Sequence, residues 1–230
     1  MLVAVVGMQT EAAILNDPPG VLVIQGRDAD ADIEADLEAA VAKGGVEGII
    51  SLGVAGGLAA DLTAGAILIA SVVTDGEWFI AADAAWRDSI CRALRGAGFA
   101  VAFRTGVFAS SASVVATTAA KAALRAATAA DAVDMETWKA ATVAARHGLP
   151  FAALRTISDP AGLDDAPAAE VAMTPGGGID VGAVVGSLAA DPGQLGGLVT
   201  LGSDAEVAFD NLASAVLQLG IGLAFPRGDA

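Results

Sequence analysis

Carboxylates are the side chains with the best prospects for chemistry in this sequence, and four of them lie where predicted strands and helices end: Glu11, Asp134, Glu136 and Asp159. A positioned carboxyl group can act as a general acid or a general base. Asp159 directly follows a buried apolar run, and Pro160 biases it away from the helical region of backbone space. Each carboxylate alone has an ordinary interpretation as a turn or first-turn helix residue. Support for a catalytic role must therefore come from the four carboxylates taken together.

The sequence lacks the motifs of several other kinds of functional site. Gly7 follows a predicted strand but does not belong to a dinucleotide-binding G-x-G-x-x-G sequence, and no Walker-type phosphate loop occurs. His147 is the only histidine and stands at a predicted helix end, where a capping role is expected. Cys91 is the only cysteine, which excludes an intrachain disulfide and a cysteine-based metal site. We therefore expect neither a metal nor a cofactor.

The composition is that of an acidic globular protein. Hydrophobic residues make up 55% of the chain, charged residues make up 17%, and the formal net charge is −15. Such a charge repels nucleic-acid phosphates and anionic lipid head groups. The amino-terminal residues also lack the pattern of a signal peptide. These features predict a cytoplasmic protein that takes a small ligand, does not bind nucleic acid and does not insert stably into a membrane.

One apolar stretch, residues 48–73, is long enough to resemble a membrane span. It carries a single charge, Asp61, near its centre, where a spanning helix would least tolerate one. Glycines also interrupt it, at positions 56, 57 and 65. We therefore interpret the stretch as two buried strands joined by a glycine-containing loop.

Apolar runs alternate with segments of helical periodicity along the chain, which predicts a largely parallel or mixed sheet covered on both faces. The predicted strands cover residues 2–6, 21–24, 48–52, 66–73, 101–108 and 151–157. The predicted helices cover residues 30–42, 84–94, 116–127, 135–146, 181–189, 193–201 and 203–219. The fold class is therefore α/β, a three-layer α/β/α sandwich with a central mixed sheet. We expect one domain over residues 1–230, in which residues 164–230 form a loop and a helical tail.

Taken together and in this order, several motifs resemble those of the nucleoside phosphorylase and nucleosidase superfamily. That superfamily includes purine nucleoside phosphorylases and methylthioadenosine/S-adenosylhomocysteine nucleosidases. The two specific motifs are Val133-Asp134-Met135-Glu136 and Arg155-Thr156-Ile157-Ser158-Asp159. The supporting ones are Val6-Gly7-Met8 with Glu11, the glycine-rich run 53–58, and the run 65–70, in which Ala66 replaces the usual aspartate. The resemblance covers most of the chain and implies an enzyme that cleaves N-glycosidic bonds.

The resemblance implies roles for three of the four carboxylates. Asp159 would protonate, or hydrogen-bond to, purine N7 as the base leaves, and such acid catalysis is typically worth about 10² to 10⁴ in rate. Glu136 would hold the ribose hydroxyls and stabilise positive charge that develops on the sugar, while Met135 packs against the sugar. Glu11 would orient or deprotonate an attacking water. The further residues implied for substrate binding are Ser158, Val114 and Gly56.

The choice of nucleophile stays open at this stage. The resemblance implies a phosphate or water site at Gly7, Arg27 and Val54. Phosphorylases of the superfamily bind phosphate with arginine and serine in or near the glycine loop, where this chain has Ser51 and Val54. Phosphate remains possible as a co-substrate because Arg27 and nearby serines could still contribute, namely Ser110, Ser111 and Ser113, although helix capping explains the serines equally well.

Within the superfamily, the chain most resembles hopanoid-biosynthesis-associated phosphorylase-like proteins. The resemblance rests on the runs 51–58, 133–136, 145–151, 157–161 and 188–195. It implies release of adenine from adenosylhopane by hydrolysis or phosphorolysis, and a homo-oligomeric state. The apolar segment 212–225 would then meet the hopane tail or pack in the core. The alternatives are a methylthioadenosine/S-adenosylhomocysteine nucleosidase, a purine nucleoside phosphorylase, and a nucleoside-binding protein without turnover.

Overall fold

A single eight-stranded mixed sheet forms the centre of the computed structural model, which describes residues 1–26, 32–96, 99–164 and 181–227. Its long central strands are almost wholly buried, as expected for strands with helices on both faces. The strands are β1 Leu2–Val6, β2 Val21–Gln25, β3 Gly48–Gly57, β4 Ile67–Thr74, β5 Phe79–Ala81, β6 Phe103–Ser110, β7 Ala132–Asp134 and β8 Phe151–Asp159.

The strand order brings the chemically important strand ends to one edge of the sheet. β1 pairs in parallel with both β2 and β3, and β3 pairs in parallel with β8. β8 also pairs antiparallel with β4, so the last strand of the chain lies between two earlier ones. The short β7 pairs in parallel with β6 and antiparallel with the end of β3. The carboxyl ends of β1, β3 and β8 therefore lie together.

Seven helices are described besides the sheet, with a 3₁₀ turn at Pro192–Gln194. Their sequence bounds are α1 Gln9–Leu15, α2 Ile33–Ala42, α3 Ala84–Gly96, α4 Thr118–Thr128, α5 Thr137–Arg146, α6 Val181–Ala190 and α7 Leu195–Leu219. One face of the sheet packs against α2 and α5, whose buried residues include Leu37 and Val143. The other face packs against α3 and α7, through residues such as Trp86 and Leu212. The predicted three-layer α/β/α class is confirmed.

The stretch that resembled a membrane span is β3 and β4, as predicted. No helix among the described residues is long and apolar enough to cross a membrane. The glycine-rich run 53–57, expected as a loop, instead continues β3 to Gly57. Pairing with β8 explains the difference, because Gly53, Val54 and Ala55 each have a partner on that strand.

Short elements account for most of the other differences from the sequence-based expectations. Helix α1 and strands β5 and β7 were not predicted, and each has seven residues or fewer. The helix expected from residue 135 begins at Thr137, because β7 occupies the preceding residues. The two helices expected over 193–201 and 203–219 are the single helix α7. A helical glycine such as Gly202 costs about 1 kcal/mol, and the packing of Leu212 and Leu219 in the core outweighs that cost.

Candidate active site

Glu11 lies on the first turn of α1, immediately after β1, and its side chain turns back toward the sheet. Its Oε2 accepts hydrogen bonds from the backbone N–H groups of Gly7 (2.7 Å) and Met8 (2.9 Å). Its Oε1 accepts one from the N–H of Val54 at 2.8 Å, across the end of β3. The residue is only 3% exposed. Burial raises the pKa of Glu11, although Arg155 and these three N–H groups oppose the shift.

Arg155, on β8, is the cation at the centre of the carboxylate cluster formed by Glu11, Asp134 and Glu136. Its guanidinium is fully buried, and its Nε lies 3.0 Å from Asp134 Oδ2. Its Nη2 lies 3.4 Å from Glu136 Oε2 and 2.9 Å from Ser51 Oγ. Among the residues that the structure describes, its Nη1 has no hydrogen-bond partner. A buried guanidinium nitrogen without a partner is costly, so this nitrogen marks a position where a ligand or water would be stabilised.

Asp134 ties this cation to the start of α5. Its Oδ1 accepts hydrogen bonds from the N–H groups of Glu136 (3.0 Å) and Thr137 (2.8 Å), and its Oδ2 accepts one from Thr137 Oγ1. The aspartate thus satisfies N–H groups that the first turn of a helix leaves free. Thr137 Oγ1 also lies 3.2 Å from Ser51 Oγ, on β3. The Asp134 side chain therefore fixes the backbone that presents Glu136.

The carboxyl group of Glu136 is also electrostatically perturbed. Burial raises its pKa from 4.5 to about 7, and the nearby carboxylates of Asp134 and Glu11 act in the same direction. The attraction of Arg155 opposes the shift but does not cancel it. The carboxyl group therefore changes its charge near neutral pH, which is a common property of functional carboxyl groups.

Glycines allow these carboxylates to approach the backbone. A Cβ atom on Gly7 would come within 2.8 Å of Glu136 Oε1. A Cβ atom on Gly53 would collide with the Glu11 carboxylate and the Arg155 guanidinium. Glycine at both positions is therefore required by space, because any larger residue would displace a charged side chain.

Asp159 ends β8 and belongs to a second group of polar side chains. Its Oδ1 accepts a hydrogen bond from Ser158 Oγ at 2.7 Å, and its Oδ2 lies 2.9 Å from Lys121 Nζ. The Asp159 side chain is 15% exposed, whereas Lys121 is completely buried. A Cβ atom on Gly56 would lie 2.9 Å from Asp159 Oδ2, so the glycine keeps this position open.

Strand β3 connects the two groups. Gly53 lies against Glu11 and Arg155, and Gly56 lies against Asp159. Three residues of extended chain separate these glycines by roughly 10 Å. The two groups of polar side chains therefore lie within a few residues of each other along this strand.

Two other residues expected in the site have exposed side chains. Met135 is 39% exposed and Val114 is 56% exposed. Met135 lines a surface pocket with six other residues, namely Asp75, Ser110, Ser111, Ala112, Trp138 and Lys139. The backbone N–H groups of Gly7 and Val54, expected to hold phosphate or water, both donate to Glu11. Arg27 lies outside the described residues.

Two contributors to the site were given no role by the sequence. Arg155 belongs to one of the family motifs, but no role was inferred for it. Its unusual position in a mainly apolar strand could have indicated that it belongs to the site. Lys121 stands in an alanine-rich helix, where a lysine normally reaches solvent. Among the described residues, no group of histidine, cysteine or acidic side chains is arranged to hold a metal ion.

Replacing Glu136 by glutamine should stabilise the protein above neutral pH. A carboxyl whose folded-state pKa is raised contributes stability that is complete below its unfolded pKa, 4.5, and is lost as the pH rises through about 7. The unfolding free energies of Glu136→Gln and wild type should therefore diverge by up to about 3 kcal/mol between pH 5 and pH 8. Urea denaturation at several pH values measures this difference.

The exposed carboxyl of Glu206, on α7, provides a control, and Glu206→Gln should show no such divergence. A constant difference between Glu136→Gln and wild type across the same pH range would contradict the electrostatic description of this site.

The sequence matches the model of the phosphorylase superfamily over residues 19–175, and the chain belongs to this superfamily. The matched range contains Glu136, Arg155 and Asp159 but begins after Glu11. The superfamily predicted from the motifs is thereby confirmed. Comparison with curated proteins finds no significant match.

Solved nucleosidases share the fold over almost the whole chain. The 5′-methylthioadenosine/S-adenosylhomocysteine nucleosidase of Neisseria meningitidis, in complex with methylthio-immucillin-A, has a TM-score of 0.72 at 15% identity, covering 97% of this chain and 99% of that chain. The Helicobacter pylori nucleosidase of the same name has a TM-score of 0.67 at 19% identity, covering 95% and 98%. Futalosine hydrolase of Helicobacter pylori has a TM-score of 0.66 at 19% identity, covering 95% and 97%. The enzyme class predicted from the sequence, N-glycosidic bond cleavage, agrees with these relatives.

Proposed function

We propose that this protein hydrolyses the N-glycosidic bond of an adenosine-type nucleoside and releases adenine. The observation that carries the proposal is the arrangement of Glu11, which is buried and held by three backbone N–H groups beside the unpartnered Nη1 of Arg155. In this proposal Glu136 binds the sugar and Asp159 binds the base, since their groups of side chains adjoin β3 at Gly53 and Gly56. Similar folds named as nucleosidases support the same chemistry.

Water is the nucleophile that this charge distribution favours. Glu11, Asp134 and Glu136 surround a single buried arginine, Arg155. A phosphate dianion would be repelled by these carboxylates. The backbone N–H groups of Gly7 and Val54, which would otherwise be available to phosphate, already donate to Glu11. A water molecule, in contrast, can accept from Arg155 and donate to Glu11.

In the proposed reaction, the water oxygen attacks the anomeric carbon while the bond to the purine nitrogen breaks. Glu11 removes a proton from the water and Asp159 donates a proton to N7, so the base leaves neutral. Exchange with solvent then removes the proton from Glu11 and returns one to Asp159. The products are adenine and the free sugar. Glu136 in its ionised form accepts hydrogen bonds from the sugar hydroxyls and stabilises the positive charge that develops on the ring.

The substituent at the 5′ carbon is proposed to be apolar, and adenosylhopane is the first candidate. The family resemblance of the sequence supplies this candidate. Exposed apolar side chains support it: Met135 lines the surface pocket, and the exposed Val114 and Trp78 follow its lining residues Ala112 and Asp75 by two and three positions. Methylthioadenosine and S-adenosylhomocysteine are the alternatives, with smaller substituents at the same carbon.

Adenine release from each of the three compounds tests both proposals at once, with the purified protein in phosphate-free buffer and again with added phosphate. We expect release without phosphate, and the highest kcat/KM with adenosylhopane. A requirement for phosphate would show phosphorolysis. A higher kcat/KM with methylthioadenosine would contradict the hopane substituent. Binding of adenine without release from any compound would show a nucleoside-binding protein.

A further inference from the structure

Lys121 is the one fully buried lysine among the described residues, and it lies next to Asp159. It comes from α4, which begins at Thr118. Its Nζ lies 2.9 Å from Asp159 Oδ2 and donates to the backbone carbonyls of Leu163 at 3.0 Å and Pro160 at 3.2 Å. All these acceptors belong to the end of β8 and the turn after it.

Burial of an ammonium group costs several kcal/mol unless good acceptors surround it. These acceptors around Lys121 include a carboxylate and the carbonyls of a single turn, so the ammonium helps to fix the position of that turn. With Ser158 on Oδ1 and Lys121 on Oδ2, both oxygens of Asp159 have a fixed donor. Gly56 has no side chain, and this leaves the space beside β3 that Asp159 Oδ2 occupies.

We propose that Lys121 is a positioning residue that holds the Asp159 carboxyl in the orientation needed for its hydrogen bond to purine N7. This inference rests on the proposed function, in which Asp159 meets N7. Lys121 acts through Asp159, because its Nζ is enclosed by the turn and does not reach the ligand space. Its effect is therefore specific to the N7 position of the base.

A comparison of adenine with 7-deazaadenine tests the proposal without requiring turnover. The two bases differ at position 7, where 7-deazaadenine has a C–H group and forms no hydrogen bond to Asp159. Isothermal calorimetry on the full chain should show that wild type prefers adenine by about 10- to 100-fold, the range for a hydrogen bond to a charged group. Lys121→Met should reduce this preference to less than about threefold, and Lys121→Arg should give an intermediate value.

Lys43→Met, at the exposed end of α2, is the matched control and should keep the wild-type preference. If Lys121→Met binds both bases more weakly but keeps the wild-type preference, Lys121 has a structural role only and the proposal is wrong. If Lys121→Met does not fold, Lys121→Arg decides, since a wild-type preference in that variant would also overturn the proposal.

The outcomes for wild type separate this inference from the proposed function. Wild type that binds neither base contradicts the proposed function. Wild type that binds both bases equally, and still releases adenine from a nucleoside, contradicts only the hydrogen bond between Asp159 and N7, and the positioning role with it.

Discussion

Asp159→Asn is expected to lower kcat/KM for adenine release by about 10² to 10⁴, the range typical of a lost general acid. Asparagine keeps the shape of the side chain and a contact with Ser158. It cannot hold the proton at N7 as a carboxyl group does, and it removes the counter-charge of the buried Lys121. Initial rates of adenine release from the best substrate, measured on both proteins, give the ratio.

The exposed aspartate Asp61 supplies the control, because its side chain is 69% exposed and pairs only with Arg104 on the surface. Asp61→Asn should keep the wild-type rate within about twofold, as expected for a surface ion pair of small energy. Thermal unfolding of Asp159→Asn should be recorded in parallel, since loss of the Asp159 charge removes an ion pair with a buried ammonium. A folded Asp159→Asn protein with the wild-type kcat/KM would refute the assignment of Asp159.

Glu11→Gln is expected to lower the rate of hydrolysis by about 10² to 10⁴, because a glutamine cannot take the proton of the attacking water. Adenine binding should stay within about threefold of wild type, since Glu11 lies at the sugar end of the site and Asp159 lies at the base end. The two variants should therefore differ in their affinity for adenine, which is weakened in Asp159→Asn and largely kept in Glu11→Gln. Calorimetry with adenine and rate measurements on the same preparations separate the two effects.

Glu206→Gln again serves as the control for a carboxyl-to-amide change on the surface. The mechanism with water would be wrong if Glu11→Gln kept full activity. It would also be wrong if added phosphate restored the activity of Glu11→Gln, because a phosphate anion attacks without a base.

The central strands were predictable because burial on both faces leaves a clear pattern. Continuous apolar runs gave β1, β4 and β8 to within about two residues at each end. The end of β3 was harder, because glycines normally indicate loops, whereas here they make room for the side chains of Glu11, Arg155 and Asp159. The side chains that require these glycines lie about 40 or more positions away in the sequence, at Glu11 and on β8. A local sequence pattern therefore does not contain them.

The carboxylates of the site were found from their positions at strand and helix ends, together with the family motifs. Their partners were not. Lys121 resembles any surface lysine on an amphipathic helix, and only the packing of α4 against the turn after β8 makes it an interior cation. The raised pKa of Glu136 likewise depends on burial and on Asp134 and Glu11, which are brought together by β1, β3 and β7.

The position of β8 has a consequence for biosynthesis. Among the described strands it is the last to be translated, yet it inserts between β3 and β4 and carries Arg155 and Asp159. A nascent chain that stops before residue 151 therefore leaves the facing edges of β3 and β4 unpaired, and exposed strand edges favour aggregation. The charged centre cannot assemble before residue 159 has left the ribosome, because Arg155 and Asp159 both belong to β8.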